Sequence, residues 1–164
     1  METLAPERSN VRSDCSIVAF DPKYQAAFMR LNYQWIEKYF SVEPVDRSVL
    51  EHPEEEIIAH GGQIFFALLG ERVMGTVALK VENETQWELT KMAVDESERG
   101  KGIGRLLLHA AIDYARNKGV RRLVLYSNTS LVAAIAMYRT AGFVEGRDSN
   151  SCYARCNIYM QKDL

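Results

Sequence analysis

Apolar residues recur along this chain with two different periods, and each change of period marks a change of element. The run "SIVAF", residues 16–20, reads as a short strand. Asp21-Pro22 then supplies an N-cap and a first-turn proline, and Phe28, Leu31, Asn32, Trp35 and Tyr39 fall at helical spacing behind it. From Ser41 to Gly62 prolines interrupt the helical pattern, which predicts short helices in a lid-like segment that Gly61-Gly62 stops. Residues 63–94 hold three β-rich runs split by Gly70-Glu71 and by Asn83-Glu84-Thr85, the mark of an antiparallel meander. Helical spacing returns at Ile103, Leu106, Leu107, Ala110, Ala111 and Tyr114, and Lys118-Gly119 closes that helix. "RRLVLYSN" reads as a buried strand, after which Ser130 is expected to cap a helix whose Leu131, Ala134, Ile135 and Tyr138 share a face and which Gly142 ends. Strands around "FVEG" and "YARCNIYM" finish the chain. The order β-α-α-β-β-β-α-β-α-β-β predicts an α+β or α/β sheet with helices on its faces.

Composition narrows what such a fold can do. At 164 residues the chain is read as a polar tail over residues 1–15 and a single domain over 16–164, long enough to bury a core without staples. A formal charge of -2 gives no electrostatic case for a nucleic-acid partner. The apolar run "LVAAIAMY" is too short to cross a bilayer and "METLAPERSNVRSD" lacks the apolar part of a signal peptide, so a cytoplasmic location with no membrane partner is expected. Cys15, Cys152 and Cys156 cannot all pair within one chain, and scattered His52, His60 and His109 bring no metal spacing; free thiols and no metal are expected.

Candidate chemistry gathers in "VDESERGKGIGRLLL", where Gly100, Gly102 and Gly104 stand directly before the leucines of a helix. A glycine turn between strand and helix points unpaired backbone N–H groups outward, and the helix dipole favours an anion there. The nucleoside-triphosphate loop fails, because Gly100-Lys101 is followed by Gly102 instead of Ser or Thr. The dinucleotide fingerprint fails as well, since its third glycine would stand at Leu107 and the preceding strand belongs to a meander.

With Arg99-x-x-Gly102-x-Gly104 at the seam of an antiparallel strand and an amphipathic helix, the chain resembles the GNAT superfamily of acyl-CoA-dependent N-acetyltransferases, whose signature is Q/R-x-x-G-x-G/A. "ELTKMAV" looks like that family's fourth strand, and "SNTSLVAAIAMYRTAGF" is similar to the end of its fifth strand and the following helix. The resemblance runs well from Gly61 to Met160 and more loosely from Ile17 to His60. It implies a mostly antiparallel, six- to seven-stranded mixed sheet splayed between its fourth and fifth strands and flanked by about four helices.

The resemblance also implies a function: transfer of an acetyl group from acetyl-CoA to a primary amine, on a small metabolite or a protein, by direct attack in a ternary complex, with a homodimer common in the superfamily. Backbone groups of Met92, Ala93 and Val94 would hold the pantetheine arm, and the N–H groups of Arg99, Gly100, Lys101, Gly102, Ile103, Gly104 and Arg105 would wrap the pyrophosphate. Asn128 would steady the coenzyme from the fifth strand, although many members carry that amide at the position of Leu131. Tyr138 stands where many members hold a tyrosine that protonates the departing sulfur, and its alternative is a core aromatic. Glu88, eleven residues before Arg99, has the offset of a general-base glutamate, and its alternative is a solvated strand residue or substrate anchor. On an alternating strand Glu88 is expected to share a face with Thr90 and Met92 and to oppose Trp87, Leu89 and Lys91. Trp35, Glu37 and Tyr39 are candidates for the acceptor pocket. The rival reading is a non-catalytic acyl-CoA sensor or partner-binding domain, which would keep the cofactor cleft and lack an acceptor site.

Overall fold

The computed structural model describes residues 14–147 and 154–164. The greater part of the polar tail and Cys152 lie outside the described residues, while Cys15 is a free thiol. Among the described residues seven strands form one mixed sheet: β1 (Cys15–Ala19), β2 (Gln63–Leu69), β3 (Arg72–Val81), β4 (Gln86–Val94), β5 (Arg122–Ser127), β6 (Val144–Glu145) and β7 (Ile158–Asp163). Their order across the sheet is β1-β2-β3-β4-β5-β7-β6. Every pairing is antiparallel except β4 with β5. That parallel pair requires a crossover, which α3 (Ile103–Asn117) supplies. The remaining α-helices among the described residues are α1 (Gln25–Tyr39), α2 (Pro44–Glu51) and α4 (Val132–Thr140), and a π-helical turn, Glu54–Ile58, follows α2.

Alternation along the strands feeds two cores. Phe65, Ala67, Leu79, Trp87 and Leu89 face the layer of α3 and α4, where they meet Leu107, Ala111 and Ile135. Ile64, Phe66, Leu68 and Ala78 point the other way and pack on Phe28, Leu31, Ile36 and Leu50 of α1 and α2. A strand covered on both faces has little room for polar side chains, which is why β2 reads as an apolar run.

Local signals in the sequence account for most boundaries. Asp21 accepts a hydrogen bond from the Lys23 amide at 3.0 Å and caps a single 3-10 turn, Pro22–Tyr24, that leads into α1. Gly119 and Gly142 adopt φ of 80° and 100° behind α3 and α4, the left-handed geometry of a helix stop. Two expectations need correction. Ser130 does not cap α4: that helix starts from Leu131 with no side-chain cap, and Asn128 Oδ1 accepts from the Ser130 amide at 2.9 Å in a tight local turn. The last strand begins at Ile158, later than "YARCNIYM" suggests, because the Arg155 carbonyl accepts from the Asn128 amide at 2.7 Å and residues 154–155 turn toward α2.

The feature that positions a site lies in the middle of the sheet. β4 and β5 pair only through Gln86, Trp87 and Glu88 against Arg122, Leu123 and Val124, although both strands run on. On its other edge β4 carries a bulge: Thr76 opposes Ala93 and Ala78 opposes Thr90, so Lys91 and Met92 together face the single residue Val77. Lys91 takes φ of 52° there. The bulge bends β4 away from β5 and opens the sheet between them.

Candidate active site

A cleft of about 760 Å³ occupies this opening. One wall is β4 from Leu89 to Val94, whose edge past Glu88 pairs with no strand among the described residues. A second wall is formed by the glycine turn and the start of α3, with Leu131, Ala134, Met137 and Tyr138 of α4 opposite. The third is the α1 side, where the Trp35 ring packs at a tilt against Tyr39, 5.8 Å between centroids, and Phe40, 5.9 Å.

The glycine turn has the geometry of an anion cradle. Gly100 and Gly102 take φ of 77° and 84°, a conformation that side chains rarely adopt. Gly104 lies inside α3 without that demand, and a Cβ there would meet Met137 Sδ at 3.6 Å and Val94 Cγ2 at 3.8 Å, ordinary contacts. Neither backbone nor packing therefore explains the missing side chain at 104, whereas close approach of a ligand does. Gly102 caps α3 without a side-chain bond, and the amides of residues 100–105 donate to no carbonyl or side chain among the described residues. A pyrophosphate fits such a row of donors.

Charged residues brace this turn. Glu98, which lines the cleft, joins Arg72 at 3.0 Å and Lys101 at 2.9 Å, and Lys101 itself is not part of the lining. Arg99 donates to the Tyr39 hydroxyl at 2.9 Å and to the Val94 carbonyl at 3.4 Å. Lys38 pairs with Glu96 beside it. The C-terminal end of α1 is thereby fastened to the glycine turn.

Of the candidate residues, the cleft brings together Met92, Ala93, Val94, Arg99, Gly100, Gly102, Ile103, Gly104, Arg105, Asn128, Tyr138, Trp35 and Tyr39. Tyr138 is buried against Phe143, and its phenol has no hydrogen-bond partner among the described residues. Burial pushes that phenol up to about 12, so it keeps its proton at neutral pH. Asn128 spends its amide on the Arg155 carbonyl and the Ser130 amide, and so shapes the wall. Glu37 is exposed outside the cleft wall.

Glu88 stands behind the cleft wall, at the last paired position between β4 and β5. It is 7% exposed, and burial, reinforced by Glu82, pushes its carboxyl up to about 7. The expected strand parity holds from Trp87 to Thr90 and then fails. The bulge sends Lys91 to the α2 side, where its ammonium meets Asp46, and turns Met92 to the opposite core.

That displaced lysine belongs to a cluster which strand alternation hides. Lys91 Nζ donates to Asp46 Oδ1 at 2.7 Å, and Arg155 Nη1 and Nη2 each donate to Asp46 at 2.8 Å. Arg155 Nη1 also reaches Glu43 Oε2 at 2.9 Å, while Glu43 Oε1 accepts from the Ala154 amide at 3.0 Å. Asp46 is fully buried; desolvation raises its carboxyl, but Arg155 and Lys91 outweigh it and hold the group at about 2. Its one sequence signal was Glu43-Pro44, an N-cap with proline behind it, since Asp46 Oδ2 accepts from the Glu43 amide at 2.8 Å. Nothing local marks Lys91 or Arg155.

Comparison with known proteins agrees with this geometry. An acetyltransferase of the GNAT family from Staphylococcus aureus Mu50 superposes with a TM-score of 0.82 at 21% identity, covering 92% of this chain and 99% of that one. YncA of Salmonella typhimurium, solved with its cofactor acetyl-CoA, gives 0.74 at 21% identity over 92% and 94%. Among curated relatives, rat (Rattus norvegicus) N-acetyltransferase 8B is 34% identical over 51% of this chain and 40% of its own length. Mycothiol acetyltransferase of Beutenbergia cavernae is 34% identical over 43% of this chain and 24% of its own. The chain thus matches less than half the length of these curated relatives. The sequence profile described as the acetyltransferase (GNAT) family matches residues 29–143, which takes in most of α1, strands β2 to β5, the glycine turn and α4, and the chain belongs to that family.

Proposed function

We propose that this protein moves an acetyl group from acetyl-CoA to a primary amine by direct attack in a ternary complex. The observation that carries the reading is the glycine turn, whose unpaired amides at residues 100–105 open into a cleft beside the unpaired edge of β4. Backbone groups of Met92, Ala93 and Val94 on that edge hold the pantetheine arm as an added strand would be held. The amides from Arg99 to Arg105 take the pyrophosphate, and Arg99 and Arg105 add charge. Acetyl-CoA supplies an acyl carbon already activated by its thioester.

The chain's own groups then handle two protons. Tyr138 presents a protonated phenol from the α4 wall, and the dry surface that raises the phenol also raises a thiol beside it, so donation to sulfur stays feasible. Glu88, poised near 7, takes the acceptor's proton through water, since it stands behind the wall. Trp35 and Tyr39 border the acceptor side of the cleft. Residues 16–164 act as one catalytic domain in the cytoplasm, with a homodimer as the assembly; among the described residues no helix is long and apolar enough to cross a membrane.

Thiol release from acetyl-CoA with a pooled amine panel tests the reading. Amine-dependent release is expected. Saturable acetyl-CoA binding with no release from any amine would instead mark a non-catalytic acyl-CoA sensor.

A further inference from the structure

Among the described residues Lys91 is the one non-glycine residue at positive φ, 52°, and it stands at the bulge where the sheet opens. A residue that bears a Cβ takes that conformation only where its surroundings impose it. The alternative for β4 is a regular strand. Trp87 and Leu89 face the core of α3 and α4, so unbroken alternation would carry Lys91 into the same apolar layer and leave its ammonium buried without a partner. The bulge turns it instead to the α2 side, where the Asp46 carboxylate is already fixed. Asp46 Oδ2 accepts from the Glu43 amide at 2.8 Å, and both carboxylate oxygens accept from Arg155 at 2.8 Å. Lys91 Nζ adds its bond at 2.7 Å, and the Lys91 and Asp46 side chains are 3% and 0% exposed.

We propose that Lys91 is a positioning residue for the cofactor: its ion pair with Asp46 holds the β4 bulge, and the bulge sets which backbone groups of Met92, Ala93 and Val94 face the open edge. The proposal rests on the acetyl-CoA reading and adds a residue that acts through the strand. A one-residue slip turns every later side chain of a strand to the other face. It likewise exchanges the backbone groups that point at β3 with those that point across the opening, because these alternate along the chain. Closing the bulge would therefore send Met92 toward the α1 and α2 side, where Ala93 now packs, and would present the wrong amides and carbonyls to a pantetheine arm. A buried charge pair suits this task, since a flat β4 would separate Lys91 from Asp46 and leave both charges in a dry layer.

Two substitutions remove the ammonium alike and differ at the backbone. Lys91→Gly needs no anchor, because glycine takes positive φ freely, whereas Lys91→Ala keeps a Cβ and has nothing to hold it there. Asp46 keeps Arg155 in both. Calorimetric titration with acetyl-CoA, beside thermal melts, is expected to show both variants less stable than the wild type. The glycine variant should bind nearly as the wild type does, and the alanine variant about 5- to 30-fold more weakly, the left-handed penalty of a Cβ expressed as a population. Equal affinity in the two variants overturns the anchor. Where the alanine variant does not fold, the glycine variant decides alone: affinity near that of the wild type supports the anchor, and a loss in the range given for alanine overturns it. If the wild type binds no acetyl-CoA, the cofactor reading fails, and the anchor is read without ligand from the backbone chemical shifts of residues 90–94 in the three proteins. Wild-type shifts at Met92 to Val94 kept by glycine and changed by alanine support the anchor; any other pattern overturns it.

Discussion

Replacing Gly104 by valine separates the needs of the fold from the needs of a ligand. The new Cβ would stand 3.6 Å from Met137 Sδ and 3.8 Å from Val94 Cγ2, ordinary contacts, and the two methyl groups beyond it need only the flexible Met137 side chain to give. Valine and glycine differ by only a few tenths of a kcal/mol in a helix, so Tm should move by no more than about 2 °C. Binding should respond quite differently. Two amide donors lost to an anionic phosphate, at about 1.5–3 kcal/mol each, weaken acetyl-CoA by roughly 10²- to 10⁴-fold. Calorimetric titration with acetyl-CoA, beside a thermal melt, reads both quantities. Gly104→Ala is the control, expected to keep most of the affinity because the family signature admits alanine there. Gly102 is the poorer site for this test, since its φ of 84° would strain valine and confuse folding with binding. A folded Gly104→Val protein that binds acetyl-CoA as tightly as the wild type refutes the cradle.

Tyr138→Phe removes a hydroxyl that has no protein partner among the described residues, so the melt should hardly change while turnover falls by about 10²-fold where protonation limits; an unchanged kcat under single-turnover conditions would make Tyr138 a core aromatic. Glu88→Gln couples stability to pH, because a carboxyl raised to about 7 by burial costs stability as pH climbs from its unfolded value of 4.5 and reaches the full penalty above about 7. The variant should therefore match the wild type near pH 4 and exceed it by about 3 kcal/mol at pH 8, in chemical melts at both pH values. Its turnover deficit should shrink in alkali as the acceptor deprotonates unaided; a stability gain without any deficit at pH 7 would remove Glu88 from the mechanism.

The order of elements and the glycine turn were legible in the chain because their causes are local. Three β-rich runs split by turn residues between Gln63 and Val94, helical spacing from Ile103, and stops at Gly119 and Gly142 each act within a few residues, and β2, β3, β4, α3 and α4 follow from them. "RGKGIG" is likewise contiguous: a left-handed turn and an uncapped helix start need nothing from the rest of the fold. Strand parity failed at Lys91 because a bulge is a property of two strands in register, and β4 alone carries no sign that Val77 opposes two residues. The raised carboxyl of Glu88 follows from its place at the last β4–β5 pair, which only the splayed sheet creates. The charge cluster of Asp46, Lys91 and Arg155 beside the cleft depended on the tertiary structure most of all. Asp46 meets Lys91 across 45 positions and Arg155 across 109, separations over which neither spacing nor periodicity carries information. Three elements remote in sequence place their charges in one dry volume only after the sheet has closed, and mutual neutralisation then makes their burial tolerable.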